Sequence, residues 1–172
     1  MKSLRDKFYL TSGYLSGLCI ILIMLIILAQ IVGRFFGFIV PSAEDFSGYA
    51  LAAATFFGLA YTFREGGHIR VILVIQNWPP RLRYLQELSV LLLAFALVSF
   101  MTFYCGHMVW ESYIFEEVSY GYVPIPLWMP QVPLALGMFA FNLALLDDLI
   151  RMLRGRTPSY RTHEDELNLE EV

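Results

Sequence analysis

The chain alternates long apolar runs with short charged breaks, the rhythm of segments that cross a bilayer. No Asp, Glu, Lys or Arg falls within Phe8–Gly33, Phe46–Phe63, Leu88–Trp110 or Val118–Leu146. Each run is close to the roughly 20 residues a helix needs to cross a hydrocarbon core about 30 Å thick. The pattern predicts an all-α integral membrane protein with four transmembrane helices, at about residues 8–33, 43–63, 80–110 and 127–153.

The breaks carry their own signals. Ser42 follows Pro41 and precedes Asp45 by three residues, which predicts a capping box with Ser42 as N-cap. Glu44 and Asp45 then lie in the first turn, where the helix dipole favours negative charge. Gly66-Gly67, just past Arg64 and Glu65, stops that helix. Between the second and third helices, Val71–Ile75 is aliphatic but too short to span, and predicts a short interfacial segment. Pro79-Pro80 restarts the chain, since proline suits the first turn of a helix. A helix from Pro80 to Trp110 would be about 46 Å long, so it must tilt or protrude. Pro124, Pro126, Pro130 and Pro133 cannot all sit in one helix, which places the fourth start between Leu127 and Leu134.

Composition and charge sharpen this picture. Hydrophobic residues make up 58% of the chain and charged ones only 16%, against about 25% charged in a soluble globule. A single membrane domain over residues 1–156 accounts for the apolar content, with a polar, acidic cytoplasmic tail from 157 to 172. Of the 12 lysines and arginines, all but Arg34 fall on one side of the four spans. By the positive-inside rule both termini face the cytoplasm. The first run is too long for a signal peptide and lacks a cleavage site, so we expect it to be retained. Cys19 and Cys105 both lie within spans and read as structural thiols.

Small residues mark helix contacts. Gly13 and Gly17 form one groove, beside Ser12 and Ser16; Ala50, Ala54 and Gly58 form another, which Thr62 extends. Lipid is as apolar as leucine, so such grooves point to close helix packing, here with a larger partner that four helices alone would not replace. Gln30 reads as an interhelical hydrogen bond. Arg34, the lone cation on its side, is expected to pair with Glu44 or Asp45 across the turn between the first two helices, or with them to contact a partner or lipid. Arg64, His68 and Arg70 predict an anchor to lipid phosphates or helix carbonyls on the other side. Tyr113, Tyr120, Tyr122 and Trp128 suit an aromatic belt. His107 and Glu111 share a helix face with Glu116 and Glu117 nearby, but no second histidine completes a metal site.

These residues also carry a family resemblance. Arg34 closes the first helix and Glu44-Asp45 opens the second. Phe56, Gly58 and Ala60 follow as F-x-G-x-A, then Arg64, Gly67 and His68-Ile69-Arg70-Val71. Later, Ser119 to Trp128 reads S-x-x-x-V-P-I-P-x-W. This set resembles the small, Q-type membrane subunit of TRAP (tripartite ATP-independent periplasmic) transporters, over nearly the whole chain. One position departs: the family often has a tryptophan before the acidic pair, where this chain has Ser42-Ala43.

The resemblance implies a bacterial inner-membrane scaffold for a large M-type transport subunit. It also implies a periplasmic substrate-binding protein that delivers an organic acid, with sodium as the usual coupling ion. The residues agree with a supporting role, since no nucleophile–base pair, phosphate loop or mid-membrane charge is present. We expect no enzyme activity, no cofactor, no metal and no nucleic-acid partner, with membrane lipids as contacts. A heme subunit would need paired helical histidines, whereas only His107 lies in a helix, His68 in a loop and His163 in the tail. A small multidrug exporter would carry an acid inside its first helix. An assembly or stability subunit of another membrane complex remains the alternative.

Overall fold

A computed structural model describes residues 4–64 and 79–155. Its elements are α1 (Leu4–Phe35), α2 (Ala43–Arg64), α3 (Pro80–Ile114) and α4 (Trp128–Leu153). All four are long and apolar enough to cross a membrane, and no strand occurs among the described residues. The interfacial segment expected at 71–75, together with His68, Arg70 and the acidic tail, lies outside the described residues.

The helix ends follow from local chemistry. α1 closes in a Schellman motif: Gly37 takes φ +79, its N–H donates to Arg34 O, and Phe38 N–H donates to Gly33 O. Only glycine adopts that left-handed turn without cost. α3 starts as expected, with Pro79 extended and Pro80 in the first turn, but runs on to Ile114. Its 35 residues make it about 52 Å long, well beyond a single hydrocarbon thickness. α4 begins at Trp128, inside the expected window. Pro130 costs nothing there because first-turn N–H groups have no intrahelical partner. Pro133, one turn deeper, removes the N–H that would reach Met129 O.

Laterally the helices form a row in the order α1–α2–α4–α3. α2 packs on both α1 and α4, α3 packs on α4, and α1 meets α4 only marginally. The core lies along the α2–α4 seam, where Ala60, Met138, Ala144 and Leu145 are buried. Leu91 and Val98 of α3 and Tyr9 of α1 join it from the flanks. The row leaves α1 and α3 with broad apolar outer faces, as a bilayer requires.

Close backbone approach and hydroxyl–carbonyl bonds hold the row together. A Cβ on Gly137 of α4 would lie 2.6 Å from the carbonyl carbon of Phe56 on α2. Phe63 and Phe141 meet edge to face one level away, with centroids 5.7 Å apart. Between α3 and α4, Ser99 Oγ and Asn142 Oδ1 are 3.1 Å apart, and Tyr84 OH donates to Met152 O at 3.4 Å. In hydrocarbon such contacts replace the hydrophobic drive that water would supply.

Gly137→Ala should therefore lower the thermal stability of the detergent-solubilised protein, since the clash is with backbone that cannot rotate away. We expect a loss of about 1–3 kcal/mol, the range for overpacked cores. Gly48, with nothing within 4 Å of an added Cβ, is the control: Gly48→Ala should be neutral or stabilise by up to about 1 kcal/mol. Equal melting of the two variants would contradict the close α2–α4 approach.

Candidate partner-binding surfaces

The small-residue stripe of α2 is largely occupied by α1. Ser16 Oγ donates to Ala54 O at 2.7 Å, and Ser12 Oγ donates to Phe57 O. Gly58 sits under Ser16, with 3.2 Å between an added Cβ and Oγ, and Gly13 sits under the Tyr61 ring. Ala50 and Ala54 are buried. The expectation that these grooves await a partner is thus corrected for Gly13, Ala54 and Gly58, which the chain's own hairpin fills. Gly17 faces open space, and Ala50 borders an open wedge beside α1. Serine beside glycine matters because the hydroxyl needs a carbonyl partner in an apolar medium, and only a small neighbour lets it reach one.

Arg34 and the acidic pair end close to the first turn but do not pair. Among the described residues no ion pair within 4.0 Å joins Arg34 to Glu44 or Asp45. Arg34 and Glu44 are exposed, while Asp45 is half-buried. The reason lies in a loop the sequence did not connect to this corner. Residues 117–127 fold as a small hairpin, with Ser119 N–H donating to Ile125 O and Leu127 N–H donating to Glu117 O, both at 2.9 Å. Its tip crosses to the start of α2, where Val123 N–H donates to Ser42 Oγ at 2.9 Å. Gly121 lies against the Asp45 carboxylate, so closely that a Cβ there would overlap it.

This contact also replaces the expected capping box. Phe46 N–H does donate to Ser42 O, so helical bonding starts at Ser42. Yet Ser42 takes φ +53, outside the extended conformation of an N-cap, and its hydroxyl serves Val123. Opposite the docked edge, Tyr120 and Tyr122 project with 103% and 91% exposure, past the helix ends that would carry an aromatic belt. Tyr113 and Trp128 pair edge to face beside the helix ends, with centroids 6.0 Å apart.

At the other end, Arg64 turns inward. Its guanidinium carbon lies 4.5 Å from the centroid of the buried Tyr9 ring, which ties the last turn of α2 to α1. Asp148, beside Asp147 near the end of α4, is almost fully buried at 1% exposure. Arg151 reaches Asp147 at 3.3 Å and stands 4.0 Å from Asp148. His107 and Glu111 pair at 3.2 Å on the surface of α3. Among the described residues no three His, Cys, Asp or Glu side chains come together to hold a metal.

Fold and surfaces together define a helical, four-span membrane component whose conspicuous features are packing contacts and exposed faces. Residues 23–155 match the family described as tripartite ATP-independent periplasmic transporters, DctQ component, and the chain belongs to that family. The resemblance read from Arg34 to Val71 is borne out. That family comprises transporter components and not enzymes. No curated protein matches the chain.

Ser42→Ala tests the corner directly. It removes the acceptor for Val123 N–H and should cost about 1 kcal/mol locally, speeding exchange of that amide by roughly fivefold. Ser42→Asn, which keeps an acceptor and tolerates the left-handed backbone, should retain protection. Unchanged exchange in Ser42→Ala would show that the hairpin is held otherwise.

Proposed function

We propose that this chain is the small scaffold subunit of a secondary active TRAP transporter, with its termini in the cytoplasm. It braces the large M-type subunit while that subunit moves an organic acid, delivered by a periplasmic binding protein, together with sodium. The family match over residues 23–155 carries the reading, since DctQ components belong with a large DctM subunit and a binding protein in TRAP systems. The open row supports it: a chain built as a transport path would enclose its core, whereas here both flanking helices present apolar faces outward.

The two flanks differ in character. α1 holds the most hydropathic span and suits lipid. α3 carries Leu93, Leu97, Phe100 and Tyr104 exposed at helical spacing, with Phe100 and Tyr104 rings 4.5 Å apart. Large aromatic side chains on one stripe favour a protein neighbour, so α3 is the edge that meets the large subunit. Arg64 anchors the hairpin internally through Tyr9, and the role of His68 and Arg70 in this reading is to supply further cations for lipid phosphates on the cytoplasmic side.

Reconstitution tests this reading. The purified chain alone in liposomes should accumulate no organic acid, even with a sodium gradient and a binding protein, while addition of the large subunit should restore uptake. Uptake by this chain alone would overturn it. Cysteines placed at Ser3 and Asn77 should react only from the cytoplasm, and one at Tyr120 only from the periplasm; the reverse would overturn the orientation.

A further inference from the structure

At the hairpin-side half of the row, α1 and α4 separate over α2 and leave a cavity of about 490 Å³. Cys19, Leu22 and Ile26 of α1 form one wall. Ala50 and Ala53 give a floor too small to fill the wedge, and Pro130 and Pro133 close the far side. The lining is apolar, and the cavity lies at the depth of the spans, between the midpoint of α1 and the first turns of α4. Water entering there would find almost no hydrogen-bond partner, and an empty wedge would forfeit its dispersion contacts.

The wall of α1 repeats at three and four residues, and the same stripe continues through Gln30 toward Arg34. Arg34 is exposed and joins no ion pair within 4.0 Å among the described residues. From its Cα the cavity begins about 12 Å down the helix at Ile26 and ends about 22 Å down at Cys19. A leaflet offers about 15 Å of hydrocarbon below its headgroups. With the headgroup region adding roughly 5–7 Å above that hydrocarbon, an acyl chain whose phosphate meets Arg34 ends about 20 Å down the helix and overlaps most of the cavity.

We propose that this wedge is a glycerophospholipid site, with the acyl chain between α1, α2 and α4 and the phosphate held by Arg34. The guanidinium offers paired donors that match phosphate oxygens, a charge-assisted contact that lysine or glutamine would not reproduce. The chain fills a gap that the small residues of α2 and the proline-bearing start of α4 leave open. The site requires only that the four helices span a bilayer, so it stands apart from the transport reading above.

The test uses the full chain co-purified with its large partner in phospholipid nanodiscs. The probe is phosphatidylethanolamine carrying a diazirine midway along one acyl chain. Photolysis should label Cys19, Leu22, Ile26, Ala50 and Ala53 several-fold more than Leu18, Leu25 and Leu28 on the outward stripe of α1. Cys19→Phe, which fills the wedge from an already partly exposed position, should abolish the excess, and Leu22→Phe should lower it. Arg34→Gln should reduce it by about tenfold, the loss expected for one charge-assisted hydrogen bond. A diazirine diacylglycerol without phosphate should label as weakly in the wild type. Circular dichroism and co-purification confirm that each variant is folded and assembled. Even labelling around α1, or labelling indifferent to Cys19→Phe and Arg34→Gln, would overturn the site. Photocrosslinking of this wall to the partner chain instead of to lipid would overturn it too, while leaving the assembly itself intact.

Discussion

Helices in hydrocarbon gain little by hiding leucine from lipid, so everything here depends on how closely backbones can approach. Two contacts supply that approach. On one side Ser12 and Ser16 bond carbonyls of α2, with Gly13 and Gly58 making the room. On the other, Gly137 lets the backbone of α4 lie against Phe56. Because α2 makes both contacts, it is the spine of the row, and the flanking helices hang from it and from α4. Hydroxyl–carbonyl bonds in such seams are worth roughly 0.6–2 kcal/mol each. A few of them, added to close van der Waals packing, fix which faces meet.

The hairpin end shows a different solution to the same problem. A loop joining two spans must satisfy its backbone without the regular ladder of a helix. Residues 117–127 do so by pairing with themselves, by borrowing the Ser119 hydroxyl for Ile125 N–H, and by handing Val123 N–H to Ser42. The outcome is a corner where the first turn of α2 and the loop before α4 stabilise each other. Tyr120 and Tyr122 then stand on a braced platform, and Asp45 is held under Gly121 where Arg34 does not reach it.

Much of this was legible in the residues, and the limits have physical causes. The four spans could be read because lipid demands unbroken apolarity, and the start of α3 because Pro79-Pro80 permits little else. The family motif was readable at Arg34, Glu44-Asp45 and the F-x-G-x-A run. The row order was not, because in lipid an outward face and a buried face are equally apolar. The destiny of the Ala54 and Gly58 stripe was hidden for the same reason: spacing reveals a groove but not which helix fills it. Ser42 misled because its local partner, three residues on, looked sufficient; its actual partner stands 81 residues away. Gly37 and Gly137 could have been found, as lone glycines just past one span and inside another. The burial of Asp148 left no mark beyond its neighbour Asp147.

The central claim is that an open row of helices, fixed internally by small residues, offers its α3 edge to a larger partner. Single cysteines at Leu97 on α3 and Leu25 on α1, both exposed in the chain itself, can be placed in a background lacking Cys19 and Cys105. Labelling by a lipid-soluble thiol reagent, with and without the large subunit, reads the two flanks separately. The account predicts that assembly lowers labelling at Leu97 several-fold and leaves Leu25 little changed. Equal labelling of Leu97 in the chain alone and in the intact complex would contradict it.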